Sequence, residues 1–257
     1  MNYTVPRIWE GQTCVILAGG PSLKKQDLSA LTSTHPWPKV IAINDSWKLR
    51  PYANVLYFVD AAWWQRQMDM NEFSVDGQVR FHDAIYKCNW IKGGAGFQDH
   101  PQIKQIAFTG QVGLEGNPQA LRHGSNSGYS AINLAYLFGA KRIVLLGYDM
   151  KVQGERSHWH DRVDNMPASY FQNVLQNEFL PLFSYLVEPL RKAGVEVINA
   201  TPDSALTLWP SMTLEQALQP VSCSAARLPG SAEEPPVAVA ASGRGRSRQE
   251  SQLQAKE

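Results

Sequence analysis

Six short apolar runs, rich in β-branched residues, constrain the fold of this 257-residue chain more than any other feature. Most of them are nearly continuous rather than alternating, which is typical of parallel strands covered on both faces. The runs lie at 13–18, 39–44, 54–60, 105–110, 142–147 and 195–200. Amphipathic segments between them predict helices over 23–31, 61–68, 127–139 and 168–194, the last kinked or broken by Pro181 and Pro189. This alternation predicts an α/β protein with a doubly wound, mostly parallel sheet and helices on both faces.

Composition divides the chain near residue 221. With 44% hydrophobic residues overall, the chain has enough apolar side chains to fill one core, and we place a single domain over 1–220. Residues 221–257 are rich in Ala, Ser, Pro and Gly and have almost no large apolar side chain. Such a segment cannot bury enough surface to offset its ordering entropy, so it is predicted to be a disordered tail.

Charge, hydropathy and cysteine content narrow the class of protein. A net charge of +1 does not indicate a nucleic-acid partner. No apolar run is long enough to span a bilayer, and the N-terminal residues lack the pattern of a secretory signal. The three cysteines, Cys14, Cys88 and Cys223, are too few and too scattered for a disulfide framework or a zinc site. We therefore expect a soluble, cytoplasmic protein.

The first candidate site residues follow the first predicted strand, in the sequence AGGPSL. In a doubly wound sheet, ligands bind beyond the carboxyl ends of the strands. Gly19 and Gly20 permit a close approach to the backbone, Pro21 suits a first helical turn, and Ser22 can cap nearby amides. The segment matches neither a P-loop nor the G-x-G-x-x-G fingerprint. It is either a phosphate-binding turn or a plain tight turn between a strand and a helix.

Polar residues also end the second and third predicted strands. Asn44 and Asp45 end the second strand, where the Asn44 amide can contact a ribose or a base, or the two residues can form an Asx turn or a helix cap with Ser46. Asp60 can hold a ribose or an amine, or cap the helix that follows it. For Trp63 and Trp64 in that helix, packing is favoured over stacking on a base.

A second small-residue turn precedes the predicted helix over 127–139. Asn126, Ser127 and Gly128 offer hydroxyl and amide groups at a helix N-terminus, which suits an anion. After the next strand, Asp149 is a site residue or a loop anchor, with the anchor slightly favoured. Lys151 can offset charge on a phosphate.

Two histidines with a spacing of two lie in the polar loop SHWH. Alternate residues of an extended segment face the same side, so His158 and His160 can both point into one pocket. A histidine near its ordinary pKa can act as a general base at neutral pH. Catalysis is favoured over an incidental surface loop, and no metal-binding pattern accompanies the pair.

Taken in order, these motifs resemble those of the bacterial family-42 sialyltransferases and the related MptE-like (6-hydroxymethylpterin diphosphokinase-like) domain family. The resemblance runs from about Cys14 to Ala200, and similar sequences also occur among phage and prophage proteins. It implies a Rossmann-like nucleotide-binding fold. It also implies that Gly19, Gly20, Pro21, Ser22 and Asn44 grip a cytidine monophosphate donor, together with the turn at 126–128.

The same resemblance assigns the catalytic base to the second histidine, His160, with His158 beside it. Only Trp159 separates the two here, whereas the family has three residues between them, so the assignment can shift to His158. Lys151 stands where the sialyltransferases have the first of their tyrosines, and Asp60 replaces a strand-end Asn. These departures affect the assignment of sialic acid as the donor sugar more than the assignment of the nucleotide.

The function expected from these residues is nucleotide-dependent transfer. The favoured form is a metal-independent, inverting glycosyltransferase that uses a CMP-type nucleotide sugar as a substrate and holds no tightly bound cofactor. One alternative is an MptE-like diphosphokinase that uses ATP and magnesium, with the ion held by Asp60 and Asp149. A third is a non-catalytic nucleotide-binding module. The acceptor and the oligomeric state are left open.

Overall fold

A computed structural model describes residues 3–49, 53–69, 103–160 and 167–220, together with the backbone of short strands at 74–75, 78–79 and 85–88. One compact unit covers Met1–Gln219. The tail predicted at 221–257 lies outside the described residues.

The core of the fold is an eight-stranded sheet in which every neighbouring pair is parallel. Its strand order is β10-β9-β1-β2-β3-β6-β7-β8, and the two remaining strands form a small antiparallel pair. In chain order the strands are β1 (Thr13–Leu17), β2 (Lys39–Ile43), β3 (Val55–Phe58), β4 (Ser74–Val75), β5 (Gln78–Val79), β6 (Ile85–Cys88), β7 (Lys104–Gly110), β8 (Ala120–Arg122), β9 (Arg142–Leu146) and β10 (Glu196–Asn199). The predicted parallel α/β sheet is confirmed.

Strand β1 is where the winding of the sheet reverses. It pairs with β2 on one side and with β9 on the other, although β9 comes much later in the chain. The loops after β1 and β9 therefore leave neighbouring strands at the same edge of the sheet. A crevice outside the strand ends at such a switch point is the usual ligand site of an open α/β sheet.

Side chains of β1 alternate between two hydrophobic cores, one on each face of the sheet. Cys14 and Ile16 face the core that contains α3 (Ser127–Leu137) and α5 (Ser184–Lys192). Val15 and Leu17 face the other core. That second core is completed by the helices α1 (Ala30–Ser33), α2 (Ala61–Asp69) and α6 (Leu214–Ala217). Helices on both faces explain why the central strands are continuously apolar.

One helix prediction needs correction. The helix predicted over 23–31 is a 3-10 turn, Pro21–Lys25, followed by the short α1. It stops because the Asp27 carboxylate accepts a hydrogen bond from the Ser29 amide at 2.8 Å, an Asx turn that ends the regular helix.

The helix predicted over 168–194 is divided. It consists of α4 (Ala168–Asn173), a π-helical segment Val174–Phe179, a 3-10 turn Leu180–Phe183 and α5. The break falls beside Pro181, as the missing proline N–H requires, but α5 continues through Pro189.

Strand prediction missed two members of the main sheet. All six predicted strands are present, with ends shifted by one or two residues. The missed strands, β6 and β8, have only four and three residues. Strand β8 has only three residues, and Lys87 interrupts the apolar residues of β6, so neither shows the continuous apolar run of the four-residue β3.

Candidate active site

A cavity of about 860 Å³ lies at the switch point of the sheet. Its lining includes most of the residues predicted from the sequence. Those residues are Gly19, Gly20, Asn44, Asp60, Asn126, Ser127, Gly128, Asp149, Lys151, His158 and His160. Pro21 and Ser22 lie just behind this lining and are buried. The tertiary structure therefore brings together segments that are more than 100 residues apart in the chain.

The glycine turn (residues 19–22) is packed against other parts of the protein. A Cβ atom added to Gly19 would lie 2.8 Å from His158 Cδ2, and one added to Gly20 would overlap Asp149 Oδ2. Both glycines therefore make room for protein side chains. The Gly20 amide donates to the Gly147 carbonyl at 2.8 Å, whereas the Gly19 amide has no hydrogen-bond partner among the described residues.

Asp149 ties the loop after β9 to the glycine turn. Its Oδ1 accepts from the Ser22 amide at 3.0 Å and its Oδ2 from the Ser22 hydroxyl at 2.8 Å. Gln153 Nε2 also donates to Oδ1, at 3.0 Å. Burial raises the pKa of Asp149 above its ordinary value of 3.8, against the opposing effect of the Ser22 hydrogen bonds. These contacts make Asp149 an anchor between two loops of the site.

The histidine loop is fastened to the same edge by Trp159. The Trp159 amide donates to the Gly19 carbonyl at 2.9 Å, and its indole Nε1 donates to Ser46 Oγ at 3.3 Å. Trp159 is buried, and the residues on either side of it turn toward the cavity. The rings of His158 and His160 are stacked, with centroids 5.1 Å apart and planes inclined by 18°. The spacing of two thus places both imidazoles in one pocket.

Each imidazole has a different neighbour. His158 Nδ1 lies 2.9 Å from Ser157 Oγ, a hydrogen bond whose direction depends on the tautomer. His160 Nε2 lies 3.8 Å from Asp45 Oδ2, and this pair becomes an ion pair when the ring is protonated. His160 Nδ1 is shielded from solvent, so Nε2 is the ring nitrogen that can meet a substrate.

Asp45 is a buried carboxylate with several donors. It lies in the 3-10 turn Asn44–Lys48, and Trp63 Nε1 donates to its Oδ2 at 2.9 Å. Lys48 Nζ lies 3.1 Å from its Oδ1. Burial by itself raises the pKa of Asp45, but the Trp63 hydrogen bond and the Lys48 ammonium outweigh it and hold the pKa below 3.8. Asp45 is therefore ionised at neutral pH.

Asn44 presents an acceptor without a partner. Its backbone is in the left-handed region, with φ of 49°, where Asn is better tolerated than most residues. Its side-chain Oδ1 is buried and has no hydrogen-bond partner among the described residues. A buried polar atom left in this way costs free energy unless a ligand or water satisfies it. Asn44 lines the cavity, but its Oδ1 is shielded from solvent, as His160 Nδ1 is.

The α3 turn (residues 126–128) points open amides at the cavity. Asn126 caps α3, because its Oδ1 accepts from the Tyr129 amide at 2.8 Å. Among the described residues the amides of Ser127 and Gly128 have no hydrogen-bond partner. Amides at the N-terminus of an eleven-residue helix favour an anion.

Asp60 and two cations complete the polar lining. Asp60 accepts from the Ala62 amide at 2.8 Å, so it caps α2 while it also borders the cavity. Arg66 Nη2 lies 4.0 Å from Asp60 Oδ2, and both side chains are more than half exposed. Lys151 lines the cavity after β9. Trp63 and Trp64 are buried and pack against Phe58, as the sequence favoured.

Several lining residues were not predicted as site residues. Asp45, Arg66 and the apolar group Phe171, Leu175 and Phe179 belong to this set. For Asp45, the signal in the sequence is its position directly after Asn44, at the end of the second predicted strand. The three apolar residues are spaced by four along α4 and the π-helical segment, a pattern that the sequence alone shares with any amphipathic helix.

Comparison with known proteins identifies a similar fold. No protein-family model and no curated protein matches this chain. Among solved structures, it is similar to the MAf glycosyltransferase from Magnetospirillum magneticum AMB-1, with a TM-score of 0.51 and 11% identity over 86% of this chain. This chain spans 37% of the length of that protein. The likeness shows a Rossmann-like α/β fold of a kind that a glycosyltransferase also has.

A second similar structure is that of the sialyltransferase CstII from Campylobacter jejuni in complex with a substrate analogue, cytidine-5'-monophosphate. Its TM-score is 0.48, with 15% identity, over 80% of this chain and 86% of that one.

Within the described part of the chain, no helix combines the length and the apolar character needed to cross a bilayer. The same residues include no cluster of three or more His, Cys, Asp or Glu side chains arranged to hold a metal ion.

Proposed function

We propose that this protein is a glycosyltransferase that uses a nucleotide-activated sugar, with His160 as its general base. The observation that carries the proposal is the shared cavity, which is lined by the stacked histidines, the α3 turn with its open amides, and Asn44. The fold that the chain shares with a glycosyltransferase supports the reaction class.

The reaction consists of one displacement. The acceptor hydroxyl oxygen attacks the anomeric carbon and forms the new glycosidic bond, while its proton passes to His160 Nε2. The bond between the anomeric carbon and the donor phosphate oxygen breaks, and its electron pair leaves with the nucleotide. Attack opposite to the leaving group inverts the anomeric carbon.

The leaving nucleotide meets positive potential at the cavity. The amides of Ser127 and Gly128 and the ammonium of Lys151 are the donors that we assign to its phosphate. We assign the Asn44 side chain, which lines the cavity, to the ribose or the base. Because the motif resemblance points to a cytidine monophosphate donor, CMP is the first nucleotide to test.

The magnesium-dependent diphosphokinase alternative requires Asp60 and Asp149 as ligands. Both oxygens of Asp149 already accept hydrogen bonds from Ser22 and Gln153, and burial raises its pKa. The residues do not fit a magnesium site well, so we derive no step through the ion. Activity in EDTA tests this point directly.

The first experiment identifies the nucleotide. Thermal unfolding is measured with CMP, UDP, GDP and ATP, each with and without magnesium, since a ligand at about 100 times its Kd stabilises by roughly 2.7 kcal/mol. We expect stabilisation by CMP or another nucleoside phosphate without magnesium. Stabilisation by no nucleotide, or by ATP only with magnesium, contradicts the proposal.

The second experiment tests the base. Nucleotide release from the matching nucleotide sugar is measured for the wild type, His160→Ala and His35→Ala, the last an exposed histidine outside the cavity lining. We expect His160→Ala to lose about 10²- to 10⁴-fold in rate and His35→Ala to keep full activity. Full activity in His160→Ala overturns the assignment, and binding without turnover in the wild type favours a non-catalytic module.

A further inference from the structure

Among the groups that line the cavity, the buried carboxylate of Asp45 has no role in the mechanism above. It is only 4% exposed, and it lies next to Asn44 in the 3-10 turn that follows β2. Its carboxylate contacts Trp63, Lys48 and Gln67 on one side. It also lies 3.8 Å from the candidate base, His160. Burial of a charged carboxylate costs free energy. A carboxylate that serves only as a helix cap can lie at the surface, where this cost does not arise.

We propose that Asp45 is a positioning residue for His160, whose carboxylate selectively stabilises the protonated imidazole. The inference rests on the proposed function for the direction of proton transfer. It goes beyond that function because it names the group that drives the transfer. Neither His160 nor Asp45 needs to move for the pair to act.

The distance between the two groups supports a selective effect. Asp45 Oδ2 lies 3.8 Å from His160 Nε2, which is beyond hydrogen-bond length but within ion-pair distance. A neutral imidazole gains little from the carboxylate, whereas the imidazolium formed after proton transfer gains a Coulombic attraction. Stabilisation that appears only as the proton arrives lowers the barrier rather than the energy of the bound substrate.

The surroundings keep the carboxylate charged and fixed. Trp63 Nε1 at 2.9 Å holds Oδ2, and Lys48 Nζ at 3.1 Å holds Oδ1. The histidine loop is fixed in turn, because Trp159 bonds to Ser46, the residue next to Asp45. Neither partner can drift far from the other.

Other charges also face this region of the cavity. The described titratable and charged residues in the lining, besides Asp45 and His160, are Asp60, Arg66, Tyr148, Asp149, Lys151 and His158. His158 is stacked on His160, so a proton on one ring disfavours a proton on the other. Lys48, behind Asp45, weakens the field of the carboxylate at His160. A variant of Lys48 therefore changes the same interaction in the opposite direction.

Histidine titration by NMR tests the pairing without any substrate. The Cε1–H signals of the full chain are followed against pH in the wild type, Asp45→Asn and Lys48→Met, and His160→Gln identifies the His160 signal. We expect the His160 midpoint to fall by on the order of one pH unit in Asp45→Asn and to rise in Lys48→Met. Asp27→Asn, which removes an exposed carboxylate outside the cavity lining, is the control and leaves the midpoint unchanged.

An unchanged midpoint in Asp45→Asn overturns the inference, and a fall in Lys48→Met does so as well. Lys48→Met removes no fully buried group, so it keeps the test decisive if Asp45→Asn does not fold. In the transfer reaction, Asp45→Asn is expected to lower kcat more than it changes KM, and to move the acidic limb of the pH profile to lower pH. A purely structural Asp45 would lower stability without moving that limb.

The role of His160 as the base and the role of Asp45 as its positioning residue can be refuted separately. If the midpoints move as expected but His160→Ala transfers sugar normally, the proposed base is wrong although the electrostatic pairing exists. If His160→Ala is inactive but the midpoints do not move, the base stands and the role of Asp45 is refuted.

Discussion

The glycine turn and the α3 turn look alike in the sequence, and both line the same cavity. Each combines small residues with a hydroxyl or amide side chain ahead of a helical segment, a pattern that favours anion binding. In the glycine turn, Gly20 and Ser22 spend their amides on Gly147 and Asp149. In the α3 turn, Ser127 and Gly128 keep theirs open. The glycine turn mainly joins two loops of the site and leaves only the Gly19 amide open among the described residues, whereas the α3 turn presents two neighbouring open amides.

The difference arises from the neighbouring strand. The glycine turn lies beside the loop after β9, where Asp149 and Gly147 supply acceptors to its amides. The α3 turn satisfies one of its own donors through the Asn126 cap, and the remaining amides face the cavity. A turn motif therefore indicates only that backbone amides can face a ligand. The acceptors that the fold places nearby decide whether those amides are already hydrogen-bonded within the protein.

The largest effect that tests this contrast is expected from Gly20→Ala. The new Cβ would overlap Asp149 Oδ2 and the Gly147 carbonyl, so the turn and the β9 loop must separate. Overpacking of this kind costs about 3 kcal/mol of unfolding free energy, measured by urea denaturation. Gly116→Ala, with no atom within 4 Å of the added Cβ, is the matched control and stays near wild-type stability. Equal stability of the two variants would show that the glycine turn is not packed as described.

Ser127→Pro removes one open amide of the α3 turn. Proline is well accepted at the first position of a helix, so the fold is retained while the N–H donor is lost. A hydrogen bond to a charged phosphate contributes roughly 1.5–3 kcal/mol, so CMP affinity measured by calorimetry is expected to fall about tenfold or more. Ser127→Ala lacks only the hydroxyl and serves as the reference. If both variants bind CMP equally, the amide is not a ligand.

Asn126→Ala tests the cap that shapes the α3 turn. Loss of the bond from the Tyr129 amide to Asn126 Oδ1 is expected to lower the unfolding free energy by about 1 kcal/mol. Chemical denaturation measures the change. Asn126→Ser preserves a capping oxygen and should recover most of the loss; a Ser variant as unstable as the Ala variant would assign another role to Asn126.

The smallest effect is the pH dependence that comes from Asp149. Because its pKa is raised in the folded chain, the folded state binds this proton more tightly than the unfolded state does. Its contribution to stability is therefore present below about pH 3.8 and is lost as the pH rises through the raised pKa. As the pH rises from 3.8 through the raised pKa, the unfolding free energy of the wild type should therefore fall relative to that of Asp149→Asn. Urea denaturation at a series of pH values measures this difference.

Asp45→Asn provides the comparison of opposite sign. The pKa of Asp45 is lowered, so its contribution to stability is present above pH 3.8 and is lost as the pH falls through the lowered value. If Asp149→Asn and Asp45→Asn changed the pH profile in the same direction, one of the two electrostatic assignments would be wrong.

Sequence reasoning was most successful where the physical cause is local. A strand buried on both faces must be apolar throughout, so β1, β2, β3, β9 and β10 were visible as apolar runs. In β7 only the alternate residues Ile106 and Phe108 are buried. The polar residues at their carboxyl ends were visible for the same reason, and most of them do line the cavity. The spacing of His158 and His160 was sufficient to place both rings on one side of an extended loop.

The relation of Asp45 to His160 was beyond the reach of sequence reasoning. An aspartate after Asn at a strand end is compatible with an Asx turn, and nothing nearby in the sequence indicates a histidine partner. Ser46 and Trp159, the residues that hold the two segments together, are 113 positions apart. Only the packing of the histidine loop onto β1 and β2 brings Asp45 within 3.8 Å of His160.

The amino-acid order alone therefore determined the strands, the parallel α/β class and the sheet edge that carries the polar residues, because these depend on side-chain pattern within a few positions. Tertiary structure decided which of those polar groups remain open. The Ser22 amide is occupied because Asp149 lies beside it across 127 positions of chain, while the Ser127 amide has no such neighbour among the described residues. A backbone amide is occupied when the fold brings an acceptor within about 3 Å of it, and the local sequence pattern does not determine that distance.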